Sequence, residues 1–214
     1  MLEFVFAAAL IGFAAVSAHE HPAPAAGAAG AAVALFAARW VRDVARSFVA
    51  GPSVAAHFSP RGGCTTVIVG ELARARREIL VQAYSFTCPD IAKALVAAAG
   101  RGVTVRVLLD RSNEAESYSE LGDLAAHGID VLIDAQHAIA HNKIMLIDGK
   151  TILTGSFNFT RQAEHENAEN LVVLKGHPDL VARYRENFLA HRAHSQSPGA
   201  RANSHPPAAH RRAA

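Results

Sequence analysis

From residue 53 onward, apolar and polar positions fall into short runs that alternate between two periods. Val54 to Phe58 reads as a strand, and Thr65 to Arg77 carries apolar residues at helical spacing. Ile79 to Ser85 is a second strand. Pro89 suits a first helical position, and Ile91, Ala94, Leu95 and Ala98 recur on one face until Gly100-Arg101-Gly102 stops the helix. Val103 to Leu109 is apolar apart from Thr104 and Arg106, the composition of an inner strand covered on both faces. A polar loop over Asp110 to Glu120, a helix from Tyr118 to His127 and a strand at Ile129 to Ile133 follow. A hairpin over Ile144 to Thr154, a strand at Asn170 to Leu174 and a helix from Pro178 to His191 complete the pattern. Strands alternating with helices predict an α/β fold, and the hairpin makes the sheet mixed.

The ends of the chain follow other rules. Leu2 to Ala18 is an unbroken apolar run closing on Val16-Ser17-Ala18, small residues that suit a secretory cleavage site; Glu3, however, stands where a basic residue is usual. Seventeen residues is also the lower limit for crossing a bilayer. Residues 1–18 are therefore a signal peptide or a membrane anchor, and both readings place the rest of the chain outside the cytoplasm, in the periplasm, secreted, or membrane-associated through the N-terminus. Residues 19–52 are an Ala/Pro-rich linker followed by an amphipathic helix over Val33 to Val49, with Leu35, Phe36, Trp40, Val44 and Phe48 on one side. Residues 193–214, rich in Ser, Pro, His and Arg, read as a disordered basic tail.

Half of the 214 residues are apolar, enough to bury a sizeable core over residues 53–192. A formal net charge of only +2 excludes a protein coated in positive charge and confines polyanion binding to a local patch. Cys64 and Cys88 are the only cysteines; the sequence leaves open whether they form a disulfide or stay as buried thiols. His57, His127, His137, His165 and His177 show no metal-ligand spacing among themselves, and no metal or other cofactor is assigned.

One constellation carries chemistry. His141 and Lys143 lie two apart at the start of the hairpin, with Asp148 five residues on; Gly155, Ser156 and Asn158 follow, in the pattern H-x-K-x4-D-x6-G-S-x-N. Residues two apart on a strand share a face, so His141 and Lys143 reach one pocket, and Ser156 and Asn158 repeat that offset alongside. Asp148-Gly149 is also a hairpin-turn signal in its own right.

This pattern resembles the signature of the phospholipase D superfamily. Phe58 to Gly63, Gln82 to Thr87, Arg101 to Asp110 and Asn167 to Val173 resemble the scaffold of its short bacterial endonuclease branch. The resemblance implies a phosphodiesterase in which His141 attacks phosphorus to form a phosphohistidine, while Lys143, Ser156 and Asn158 hold the phosphate oxygens. It implies supporting roles for Asp148 and Glu169, with Glu169 orienting the imidazole. Because the motif occurs once, it also implies a homodimer that completes the site with a second His141. Gly155 allows backbone to approach a phosphate, and Arg61, Arg111 and Arg161, with Lys150, are candidates for a phosphate-binding rim. The substrate expected is DNA, or RNA, cleaved without a metal and without sequence preference, since no base-reading helix or zinc module is evident. The alternative is a phospholipase D acting on phospholipids by hydrolysis or headgroup exchange. A noncatalytic binding module would require loss of a motif residue, and none is lost.

Overall fold

The computed structural model describes residues 51–200. The expected leader or anchor at 1–18, the linker and amphipathic helix up to residue 50, and the tail from 201 onward lie outside the described residues.

Seven strands form one mixed sheet. In chain order they are β1 (Ser53–Phe58), β2 (Glu78–Ala83), β3 (Thr104–Asp110), β4 (Asp130–Asp134), β5 (Lys143–Ile147), β6 (Thr151–Gly155) and β7 (Asn170–Lys175). Their spatial order is β1-β7-β6-β5-β2-β3-β4. β2, β3 and β4 run parallel, joined through α2 (Pro89–Gly100) and α3 (Leu121–Ala126), as parallel neighbours require a crossover. The remaining pairs are antiparallel.

Both faces of the sheet are covered. Alternate residues such as Ile79, Val81, Val107, Met145 and Leu153 pack against α1 (Cys64–Arg74) and α2, whose Ile68, Leu72, Ile91 and Leu95 are fully buried. Each such side chain contributes about 1.5–3 kcal/mol of burial. On the opposite face Leu80, Leu108, Leu146 and Ile152 meet Val181 and Phe188 of α5 (Pro178–His194). This two-sided cover explains why β5 is buried at every position.

Pro89 opens α2 and Gly100 ends it, as the sequence requires. Three differences stand out. The polar stretch after β3 contains a 3-10 turn, Arg111–Glu114, capped by the Asp110 side chain, which accepts from Ser112 N at 2.9 Å. A five-residue helix, α4 (Arg161–His165), follows Thr160, whose hydroxyl accepts from Ala163 N; it is too short to show periodicity. The chain also remains ordered past residue 192: α5 runs to His194, and Gln196 forms an antiparallel bridge with Ile133. Cys64 and Cys88 are buried free thiols, both raised by burial, so neither is a ready nucleophile. No helix of the described residues is long and apolar enough to cross a membrane.

Candidate active site

The sheet gathers the motif at one end. Ala83, the last residue of β2, pairs with Lys143, the first of β5. Ile144 pairs with Thr154, which sets Gly155 beside Lys143 one step further along the ladder, and Gly155 pairs with Leu171 of β7. Tyr84, His141, Lys143, Gly155, Ser156, Glu169 and Asn170 therefore meet where β2, β5, β6 and β7 turn into loops.

His141 is exposed and Lys143, two residues on, is buried. The Tyr84 ring joins them: its centroid lies 4.7 Å from that of His141, and Lys143 Nζ stands 5.1 Å from it on the ring face. Lys143 Nζ also donates to the His141 carbonyl at 2.9 Å, which fixes the backbone from which the imidazole projects. Burial lowers the lysine below its ordinary value, and the Glu169 carboxylate opposes that shift. Such opposition places Glu169 near the ammonium.

Glu169 is held by residues far away in sequence. Ser59 donates its hydroxyl to Asn167 O at 2.9 Å and accepts from Glu169 N at 3.2 Å, while Ser59 N donates to Glu169 O at 3.0 Å. Asn167 Nδ2 reaches Glu169 Oε1 at 3.3 Å. The backbone before His141 is set in the same way, since Ala140 N donates to Asp110 Oδ2 at 2.7 Å.

Ser156 Oγ accepts from Asn170 N and from Asn170 Nδ2, at 3.0 and 3.2 Å, and is itself exposed. Gly155 has φ 146°, and a Cβ there would run into the Asn170 carbonyl. Asn158 Oδ1 is buried without a hydrogen-bond partner. An amide oxygen left unpaired costs about 1–3 kcal/mol, a deficit that only a hydrogen-bond donor would remove.

Asp148 does not join this group. It lies at the opposite end of β5, in the turn to β6, with φ 54°. Its carboxylate accepts from Arg76 N, Arg77 N and Glu78 N, at 2.9, 2.7 and 3.1 Å, and Arg77 Nη2 donates to its carbonyl at 2.8 Å. Asp148 ties the hairpin to the entry of β2, because five residues of strand, about 17 Å, separate it from Lys143. Lys150 shares this distal turn.

The three arginines sit on separate loops. Arg61 follows β1, with φ 62° and its N–H on Glu164 O at 2.6 Å. Arg111 Nη2 donates to Ala138 O at 3.3 Å, bracing the loop that leads to His141. Arg161 opens α4 and lines a surface cavity with Thr87, Pro89, Glu116, Tyr118 and Glu120. Tyr84, Ser59 and Asp110 lie within the scaffold segments but outside the expected site. Their signal is geometric, a ring or hydroxyl at the end of a strand beside the motif.

The family described as "Cardiolipin synthase, PLD-like domain" matches residues 68–192. A phospholipase D of Rickettsia felis is 44% identical over 136 residues, covering 64% of this chain and 68% of that protein. A mitochondrial cardiolipin hydrolase of Xenopus tropicalis is 36% identical over 117 residues, 55% of each chain. Among solved structures, a phospholipase D family member, Nuc from Salmonella typhimurium, superposes with a TM-score of 0.66 at 37% identity. The match spans 68% of this chain and 97% of that one.

Proposed function

The chain belongs to the phospholipase D superfamily and is a phosphodiesterase, and from that premise we propose a sequence-nonspecific endonuclease that cleaves DNA or RNA through a phosphohistidine. The observation that carries the reading is the presentation of His141: exposed on the rim of the sheet, backed by Tyr84, above the buried Lys143. A phosphodiester within a polymer extends from both ester oxygens and needs a nucleophile accessible from either side.

A His141 ring nitrogen attacks phosphorus; the P–N bond forms as the P–O bond to the leaving nucleoside breaks. His141 of the partner subunit gives its proton to that leaving oxygen. Water then attacks the phosphohistidine, returning a proton to His141 of the partner subunit as the P–N bond breaks. Lys143, Ser156 and Asn158 hold the non-bridging oxygens, each donor contributing ~10²-fold or more in rate. Glu169 supports Lys143 and orients the imidazole. Asp148 acts on the fold and has no part in these steps. The fixed donors carry the charge that a divalent ion would otherwise offset.

The phospholipid reading has its own observation, Ile139, 56% exposed two residues before His141 and placed to meet an acyl surface. The curated relatives named phospholipase D and cardiolipin hydrolase point the same way. One experiment separates the two: plasmid nicking in excess EDTA against headgroup release from phosphatidylcholine or cardiolipin vesicles, each with His141→Ala as control. Nicking in chelator with inert vesicles supports the nuclease, and vesicle cleavage without nicking overturns it.

A further inference from the structure

A second group of titratable side chains lies at the outer edge of the sheet and takes no part in the phosphodiester steps. Asp134 ends the edge strand β4 with its carboxylate buried. His191 Nδ1 lies 2.6 Å from its Oδ2, His137 Nδ1 3.2 Å from the same oxygen, and His194 Nε2 3.3 Å from Oδ1. The four donor atoms, one per residue, all fall within 4.8 Å of one another.

Hydrogen bonds between Asp134 and the Nδ1 atoms of His191 and His137 account for only part of this arrangement. His194 Nε2 is buried and, despite its distance from Asp134, makes no hydrogen bond. The three rings pack with centroids 4.8, 5.3 and 5.4 Å apart. Protonated, they would crowd like charges together; neutral, each can turn a ring lone pair toward the shared centre, where a cation would accept it. A dication resolves both difficulties. Metal bonds of about 2.0–2.1 Å in a tetrahedral site put neighbouring donors roughly 3.3 Å apart, close to the separations of His137 and His194 from Asp134, 3.2 and 3.3 Å.

The backbone builds the group. His191 and His194 stand one turn apart on the last turn of α5, on one face. Directly after them Gln196 exchanges backbone hydrogen bonds with Ile133 at 2.7 and 3.0 Å, and Asp134 is the next residue. His137 comes from the loop that continues to His141.

We propose that Asp134, His137, His191 and His194 form a four-coordinate Zn²⁺ site with a structural role. Three imidazoles and a carboxylate suit this borderline ion in a closed site. It joins the end of α5 to β4 and to the root of the loop bearing His141. The pairing Lys143–Ala83–Leu109–Ile133 puts three strand spacings, ~14 Å, between the end of β4 and Lys143, which separates the ion from the catalytic strand.

The full chain, stripped with chelator and dialysed, is titrated with ZnCl₂ against a chromophoric competitor. One equivalent should bind with Kd below ~1 μM, and excess zinc should raise Tm by several degrees. Cobalt in place of zinc should give the absorption of a tetrahedral ion. His137→Ala and His194→Ala should lose tight binding and the Tm rise while matching the zinc-free wild type by circular dichroism. A variant lacking the terminal histidines His19, His21, His205 and His210 should bind as wild type. Absence of a tight equivalent, its survival in both cluster variants, or its loss with the terminal histidines alone would overturn the site. Zinc stoichiometry and Tm are independent of which phosphodiester is cleaved.

Discussion

His141 and Lys143 differ in exposure, the imidazole open at the surface and the lysine buried. His141→Ala removes nucleophile and acid together and should lower turnover at least ~10³-fold with an unchanged circular dichroism spectrum. Retention of more than about a tenth of the rate would require another nucleophile. Lys143 makes a pH prediction. Burial lowers its proton affinity, so the free enzyme loses the ammonium at a lower pH than an ordinary lysine would. The alkaline fall of kcat/KM should accordingly begin below the usual lysine range. Glu169 opposes that shift, so Glu169→Gln should move the fall to still lower pH, whereas Lys143→Arg should move it up. An alkaline limb unmoved by Glu169→Gln would separate Glu169 from the lysine.

At the scale of elements, the hairpin β5–β6 has a working end and a supporting end. Asp148 accepts three backbone N–H groups at the latter, and loss of such an acceptor costs about 1–3 kcal/mol. Asp148→Ala should lower Tm by several degrees and leave kcat near wild type at 25 °C; a large drop in kcat with unchanged Tm would return Asp148 to the chemistry. Sequence spacing joined Asp148 to the site because contiguous motif residues look adjacent on paper, while an extended strand carries them apart. The same spacing placed His141 and Lys143 correctly, since two residues of strand keep them at one end. Most strands and the α2 helix were legible because burial on both faces, or a Pro start and Gly stop, writes a local pattern. Ser59 supporting Glu169, Asp110 fixing Ala140 and His137 meeting His191 were not, because each contact joins segments whose proximity only the sheet order decides. The pairs Asp134/His137 and His191/His194, each at a three-residue offset, are more than fifty positions apart and meet only in the fold.

For the whole molecule, the proposed mechanism, with one motif per chain and two histidines per reaction, predicts a two-fold dimer with a shared site. Coexpression of equal amounts of wild-type and His141→Ala chains should leave about a quarter of the activity, because mixed dimers lack one histidine; independent sites would leave about half. Activity near half, or a fully active monomer by light scattering, would refute the shared site. Chelation bears on two levels at once: EDTA at 25 °C should spare turnover while lowering Tm, since the proposed ion supports the fold and stays remote from the phosphate. Loss of turnover at a temperature where the chelated chain is still folded would overturn the metal-free chemistry.

The position of β1 sets a timetable for synthesis. Among the described residues it pairs only with β7, Phe58 against Asn170 and Ser53 against Lys175, more than a hundred positions later. At ribosomal speeds of about 5–20 residues per second, β1 waits on the order of ten seconds for its partner. The Ser59 clasp on Glu169 waits with it. The nascent chain therefore carries His141 and Lys143 for some time before it can hold Glu169 in place, and remains catalytically incomplete until nearly the whole domain has left the ribosome.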